Sequence, residues 1–153
     1  MNIAVTQYTL SKCMFEIYIS GCEKHPCKGC YTPELWNPAV GEELTKERYE
    51  LLRLNILDKL DMIENLMVCG GEILEKPVEE VIELLQFLKQ FKKPIWLFTR
   101  FEIDKVPSEV KALCNYIKTG MYLQNKLTDK NIQFGYKLAS SNQKIIKIKE
   151  VEK

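Results

Sequence analysis

Phe15-Glu16-Ile17-Tyr18-Ile19-Ser20-Gly21-Cys22 is the stretch on which the reading of this chain turns. Its first five residues alternate and are rich in β-formers, so they predict a strand that runs into Gly21. Residues 21–43 follow, rich in Pro and Gly and carrying Cys22, Cys27 and Cys30. A loop of that length in a compact domain is usually functional. Beyond it the pattern changes period. Thr45 is a suitable N-cap for a helix with Tyr49, Leu52, Ile56, Leu57 and Leu60 on one face. Leu66-Met67-Val68-Cys69 is a short apolar run stopped by Gly70-Gly71, as a buried strand is. Pro77 opens an amphipathic helix with Val78, Val81, Ile82, Leu85 and Leu88 at helical spacing. Ile95-Trp96-Leu97-Phe98 reads as a third strand, a short helix starts near Pro107, and Asn115-Tyr116-Ile117-Lys118 reads as a fourth. Ile146-Lys147-Ile148-Lys149 alternates and adds a further candidate strand. Strands alternating with helices predict an α/β fold with a mostly parallel sheet. Ligands of such sheets sit beyond the carboxyl ends of the strands, which puts the cysteine loop and Gly70-Gly71-Glu72 at one end.

The bulk properties narrow the function classes. The 153 residues suit a single domain, with no repeats or linkers, and the 46 % apolar content supplies a core. Lys and Arg number 22 against 21 Asp and Glu, a balance with no footprint for nucleic acid. No apolar run approaches the roughly 18 residues of a membrane span, and the N-terminus lacks the regions of a secretory signal. The expectation is a soluble, cytoplasmic protein with neither membrane nor nucleic acid as partner. In a reducing compartment, clustered cysteines more often bind metal or do redox chemistry than form disulfides. Three of the six cysteines lie in Gly21-Cys22-Glu23-Lys24-His25-Pro26-Cys27-Lys28-Gly29-Cys30-Tyr31, a C-x4-C-x2-C pattern.

Thiolates are the usual protein ligands of iron–sulfur clusters, and one loop can wrap three corners of a cube. Pro26 and Gly29 help the backbone bend around it. Structural zinc is the alternative; it needs four ligands, and Cys13 or His25 is available to complete the set. Unligated thiols are the third reading. Cys13, Cys69 and Cys114 read as small buried hydrophobes. Gly70-Gly71-Glu72 allows the backbone to approach a ligand closely and offers a carboxylate to an ammonium group. Standing alone, it is a weak signal and reads first as a tight strand-to-helix turn with a solvated Glu.

Taken together, these motifs resemble the radical S-adenosylmethionine (SAM) superfamily. Within it, the chain looks like the activating enzymes of anaerobic (class III) ribonucleoside-triphosphate reductase. It is carried by Tyr18-Ile19-Ser20-Gly21-Cys22, Cys27-Lys28-Gly29-Cys30-Tyr31 through Trp36, and Cys69-Gly70-Gly71-Glu72. Phe98-Thr99-Arg100-Phe101, Thr119-Gly120 and Ala139-Ser140-Ser141-Asn142-Gln143 extend it over residues 14–143. The chain departs from that pattern by one extra residue between Cys22 and Cys27, by Arg100 in place of a glycine and by Thr119 in place of an aspartate. The resemblance implies a partial (incomplete) β/α barrel in a single domain over 1–153. It implies a radical SAM oxidoreductase that cleaves S-adenosyl-L-methionine at a [4Fe–4S] cluster to a 5′-deoxyadenosyl radical and installs a glycyl radical on the reductase. Cys22, Cys27 and Cys30 would hold the cluster; Gly70, Gly71 and Glu72 the methionyl group; Tyr31 would lie near the adenine, and Thr99 and Asn142 would contact cofactor or substrate. The implied partners are the reductase large subunit and a flavodoxin or ferredoxin-type electron donor. Trp36, Trp96, Phe98 and Phe101 are candidate anchors for a partner surface, although Trp96 and Phe98, in an apolar strand, read first as core. The alternatives are a radical SAM enzyme acting on another protein, peptide or small molecule, and a non-catalytic iron–sulfur or zinc-binding module.

Overall fold

The computed structural model describes residues 1–23 and 27–148. His25, Pro26 and Lys149 lie outside the described residues. The chain opens with β1 (Asn2–Thr9), turns at Leu10–Lys12 and returns as β2 (Met14–Ile19). After the cysteine loop come β3 (Glu42–Glu43), α1 (Lys46–Asp58), β4 (Asn65–Gly70), α2 (Val78–Lys89), β5 (Ile95–Phe98), α3 (Ser108–Leu113) and β6 (Tyr116–Thr119). A small hairpin, β7 (Ile132–Gln133) and β8 (Tyr136–Lys137), precedes β9 (Lys144–Lys147).

Seven strands form one open sheet in the order β3-β1-β2-β4-β5-β6-β9. The pairs β2–β4, β4–β5 and β5–β6 are parallel, and β3–β1, β1–β2 and β6–β9 are antiparallel. The mostly parallel partial barrel is therefore corrected to an open, mixed sheet, with parallel pairing confined to its centre. The cause is the sheet's two margins. β1 folds straight back on β2 through Leu10–Cys13, a connection too short for a parallel crossover. At the other margin β9 pairs antiparallel with β6, Ile117 opposite Ile146.

Side-chain alternation gives the sheet two unlike faces. Phe15, Ile17, Leu66, Val68, Ile95, Leu97 and Ile117 face the helices, where Leu52, Ile56, Val81, Leu84, Leu85, Leu88 and Val110 complete the main core. Thr45 starts α1 as expected, accepting from the Arg48 amide at 3.3 Å. Leu57, expected on the buried face, is exposed together with Leu51 and Leu54. The opposite face carries Met14, Met67, Cys69 and Trp96, covered by Leu138 and Tyr136 from the β7–β8 region rather than by a helix. Trp96 stacks on Tyr116 with ring centroids 4.2 Å apart and donates to Asn65 Oδ1 at 3.0 Å. Among the described residues no helix is long and apolar enough to cross a membrane.

Two leucines on different helices test this layering. Leu84→Ala empties a fully buried site and is expected to cost about 2–5 kcal/mol in urea unfolding. Leu54→Ala, on the exposed side of α1, is expected to stay within about 0.5 kcal/mol of wild type.

Candidate cluster site

The carboxyl ends of the four central strands converge on a cavity of about 160 Å³. Its wall contains Cys22, Cys27 and Cys30 from the loop after β2, Gly70, Gly71 and Glu72 after β4, Thr99 and Arg100 after β5, and Lys118 at the end of β6. Of the residues singled out in the sequence, Tyr31 and Asn142 stand outside this wall. Tyr31 is 72 % exposed at the lip, its ring 5.4 Å from that of Tyr122. The Asn142 amide donates to the Met121 carbonyl at 2.9 Å; the neighbouring Gln143 reaches the cavity instead.

The two glycines bring the β4 exit against the root of the cysteine loop. The Gly71 amide donates to the Ile19 carbonyl at 2.8 Å, and the Glu72 amide to the Gly21 carbonyl at 2.9 Å. A Cβ on Gly71 would lie 2.5 Å from the Gly21 oxygen, so the close backbone approach is between the β4 exit and the root of the cysteine loop. The loop is pinned on its other side by Gly21 donating to Leu35 and Cys22 to Trp36, at 2.7 and 2.9 Å. Gly21 itself sits at φ +104°, which only glycine adopts without strain.

Glu72 is not solvated but 3 % exposed. One carboxylate oxygen accepts from the Leu74 amide (3.0 Å) and the Thr99 hydroxyl (2.7 Å), the other from the Arg100 amide (2.8 Å). Thr99 Oγ1 in turn accepts from the Phe101 amide at 3.2 Å. Both side chains expected to bind an exogenous group are thus engaged in joining the β4 and β5 exits.

Two of the three loop sulfurs accept an N–H. Arg100 donates to Cys22 Sγ at 3.1 Å and the Thr32 amide to Cys30 Sγ at 3.4 Å. Burial pushes the Cys22 and Cys27 thiols up from their ordinary value, while Arg100 pulls both down. Among the described residues no three His, Cys, Asp or Glu converge on a point where a single ion would sit. The thiols instead stand around the cavity, which is how the corners of a cluster are held. Cys69 also lines the wall, its thiol driven far up by burial and then by the nearby Glu16 carboxylate. Cys13 lies at the opposite end of β2, a six-residue strand of about 20 Å, and is no fourth zinc ligand for this loop. Cys114 is buried in the helix-side core.

Lys118 was missed in the sequence because it occupies a strand position. Its ammonium donates to the Gly120 carbonyl at 2.9 Å, and burial lowers its pKa to about 8 although Glu72 opposes that shift. Arg100 and Lys118 give the cavity two cationic groups that composition alone does not locate.

An α/β domain with three cysteines around a cavity at its strand ends offers the thiol donors that iron–sulfur clusters use. The chain matches the family described as a 4Fe-4S single cluster domain over residues 12–146 and belongs to it. No curated protein and no solved structure matches. The family corrects the expectations drawn from resemblance. It is a cluster-binding domain family, not the radical SAM superfamily, and it points to a binding module rather than to an oxidoreductase that cleaves S-adenosylmethionine or activates a glycyl radical enzyme. S-adenosylmethionine has no support as a cofactor, in keeping with the internal use of Glu72 and Thr99. The expected reductase partner was implied by that resemblance alone.

Two measurements probe this geometry. Gly71→Ala is expected to force the β4 exit away from Gly21 and to lower iron uptake more than tenfold, read as bound iron per chain after anaerobic reconstitution. For Lys118, a depressed pKa means that the unfolded chain binds its proton more tightly than the folded one. The cluster-free chain therefore gains stability as pH rises from about 8 towards 10.5, by up to about 1.4 kcal/mol per pH unit. Urea unfolding across that range is expected to show the gain in wild type relative to Lys118→Met.

Proposed function

We propose that this chain is a small electron-transfer module that holds one [4Fe–4S] cluster through Cys22, Cys27 and Cys30. The observation that carries the reading is that all three cysteines wall one cavity, with Cys22 and Cys30 each already accepting an N–H donor. Donors of this kind orient ligands and stabilise thiolate charge, and they are the second shell that a cluster site requires. When bound, the cluster supplies one-electron chemistry. The chain's own residues do the rest. Gly71 and Glu72 fix the root of the loop, Leu35, Trp36 and Phe98 contribute apolar wall that limits water, and Arg100 and Lys118 offset negative charge. Cys27 and Cys30 are partly exposed, so the path to a partner at the lip is short. That partner is a flavodoxin or ferredoxin-type carrier, for which exposed Tyr31 beside Cys30 is the contact offered by the surface.

Anaerobic reconstitution with iron and sulfide tests the reading. The expected product contains iron and sulfide in about a 1:1 ratio and gives an EPR signal on one-electron reduction. Cys22→Ser, Cys27→Ser and Cys30→Ser should each lose most of the iron, while Cys13→Ser and Cys114→Ser keep it. Uptake of zinc alone, or full loading after loss of any of the three, would overturn it.

A further inference from the structure

Arg100 stands where the resemblance led one to expect a glycine, and its environment is built around it. Its amide is anchored on Glu72, its guanidinium lies 4.8 Å over the Phe101 ring, and its side chain is 9 % exposed. One terminal nitrogen donates to Cys22 Sγ at 3.1 Å, and the other pairs with Glu75, which is itself 11 % exposed. The second Glu75 oxygen accepts from the Glu23 amide at 2.8 Å, tying the pair to the start of the cysteine loop. The guanidinium is therefore fixed by its carboxylate, its ring contact and its sulfur at once. A planar, always-charged fork is the one side chain that reaches a carboxylate and a thiolate together in this way.

We propose that Arg100 and Glu75 form a potential-setting pair for the cluster, with Arg100 raising and Glu75 lowering the reduction potential through Cys22. The inference rests on the cluster reading above. Reduction adds one electron and therefore negative charge, shared between the irons and their sulfurs. A cationic N–H aimed at a ligand sulfur favours the reduced form, and a buried carboxylate next to it opposes that effect. The low exposure of both groups keeps the interaction from being screened as a surface pair is. Arg100 and Glu75 are positioning residues here; neither is a cluster ligand.

The test is a potentiometric titration of the reconstituted protein, monitored by EPR, after iron content has been checked. Arg100→Met is expected to shift the reduced-to-oxidised ratio at fixed poise about tenfold towards the oxidised form, a fall of about 59 mV for a one-electron couple. Glu75→Gln keeps an amide oxygen for the guanidinium but removes the charge, and should shift the ratio the opposite way. Arg100→Lys, which keeps the charge and loses the fork, should fall between Arg100→Met and wild type, and it carries the test if Arg100→Met does not load. Opposite signs for the two residues are the result that a merely structural role does not produce. Potentials equal to wild type in fully loaded variants, or shifts of the same sign, would overturn the pair's role and leave the cluster reading standing. A wild-type chain that takes up no iron overturns the cluster reading itself.

Discussion

The Glu72 carboxylate is the point where the ends of β4 and β5 are tied together. A buried carboxylate is expensive unless its lone pairs are filled, and here three donors from the backbone and from Thr99 fill them. The Arg100 amide is one of those donors, so the guanidinium that reaches Cys22 is aimed from a backbone held by Glu72. The Glu72 amide meanwhile donates to Gly21, at the root of the loop that carries the cysteines. One residue thus sets the distance between the second and third strand exits and the direction from which the third approaches the first. The Arg100 guanidinium and the root of the cysteine loop inherit their placement from it.

The sheet's asymmetry explains why the site lies where it does. Alternation sends Ile17, Val68, Leu97 and Ile117 to the helices and Tyr18, Cys69, Phe98 and Lys118 to the other face. No helix among the described residues covers that second face. At the amino ends of the strands it is closed by Tyr136, whose hydroxyl donates to Met14 Sδ at 3.3 Å, and by the Trp96–Tyr116 stack. At the carboxyl ends the cysteine loop and the residues around Tyr122 and Gln143 curl over it and leave the cavity. A parallel core is what brings four strand exits to one end. The antiparallel margins widen the sheet without adding a further exit of that kind.

Much of this was legible in the residues. Short apolar runs bounded by Gly and Pro located β2, β4, β5 and β6, and the 3.6-residue period with its caps located α1 and α2. The direction of the margins was not legible, because periodicity reports which face a strand buries and not which way its neighbour runs. β1 was missed altogether: only Ile3 of its eight residues is buried, so its alternation carries almost no hydrophobic signal. β9 lies two residues earlier than the alternating tail suggested, since pairing with β6 rather than sequence pattern sets its start. The spacing of the cysteine loop left cluster, zinc and unligated thiols open. The choice of a cluster over zinc came from the family match over residues 12–146, and the placement of Cys13 at the far end of β2 agrees with it.

The glycine pair shows why short motifs overreach. A Gly-Gly-acid turn after a strand has the same local requirements whether a ligand or another backbone segment approaches it: no Cβ, and an acceptor for nearby donors. Sequence carries the requirement but not the identity of what approaches. Here the approaching group is Gly21, and the donors are Leu74, Thr99 and Arg100, so the motif is satisfied before any cofactor enters. Arg100 argues the same point in reverse. As a substitution in a familiar pattern it reads as a departure, yet the fold supplies it with an acceptor on each side, Cys22 and Glu75, and a ring beneath. A buried arginine so completely partnered is costly to place and is not explained by packing alone. Its contact with Cys22 Sγ is the feature of this cavity that the motifs did not announce.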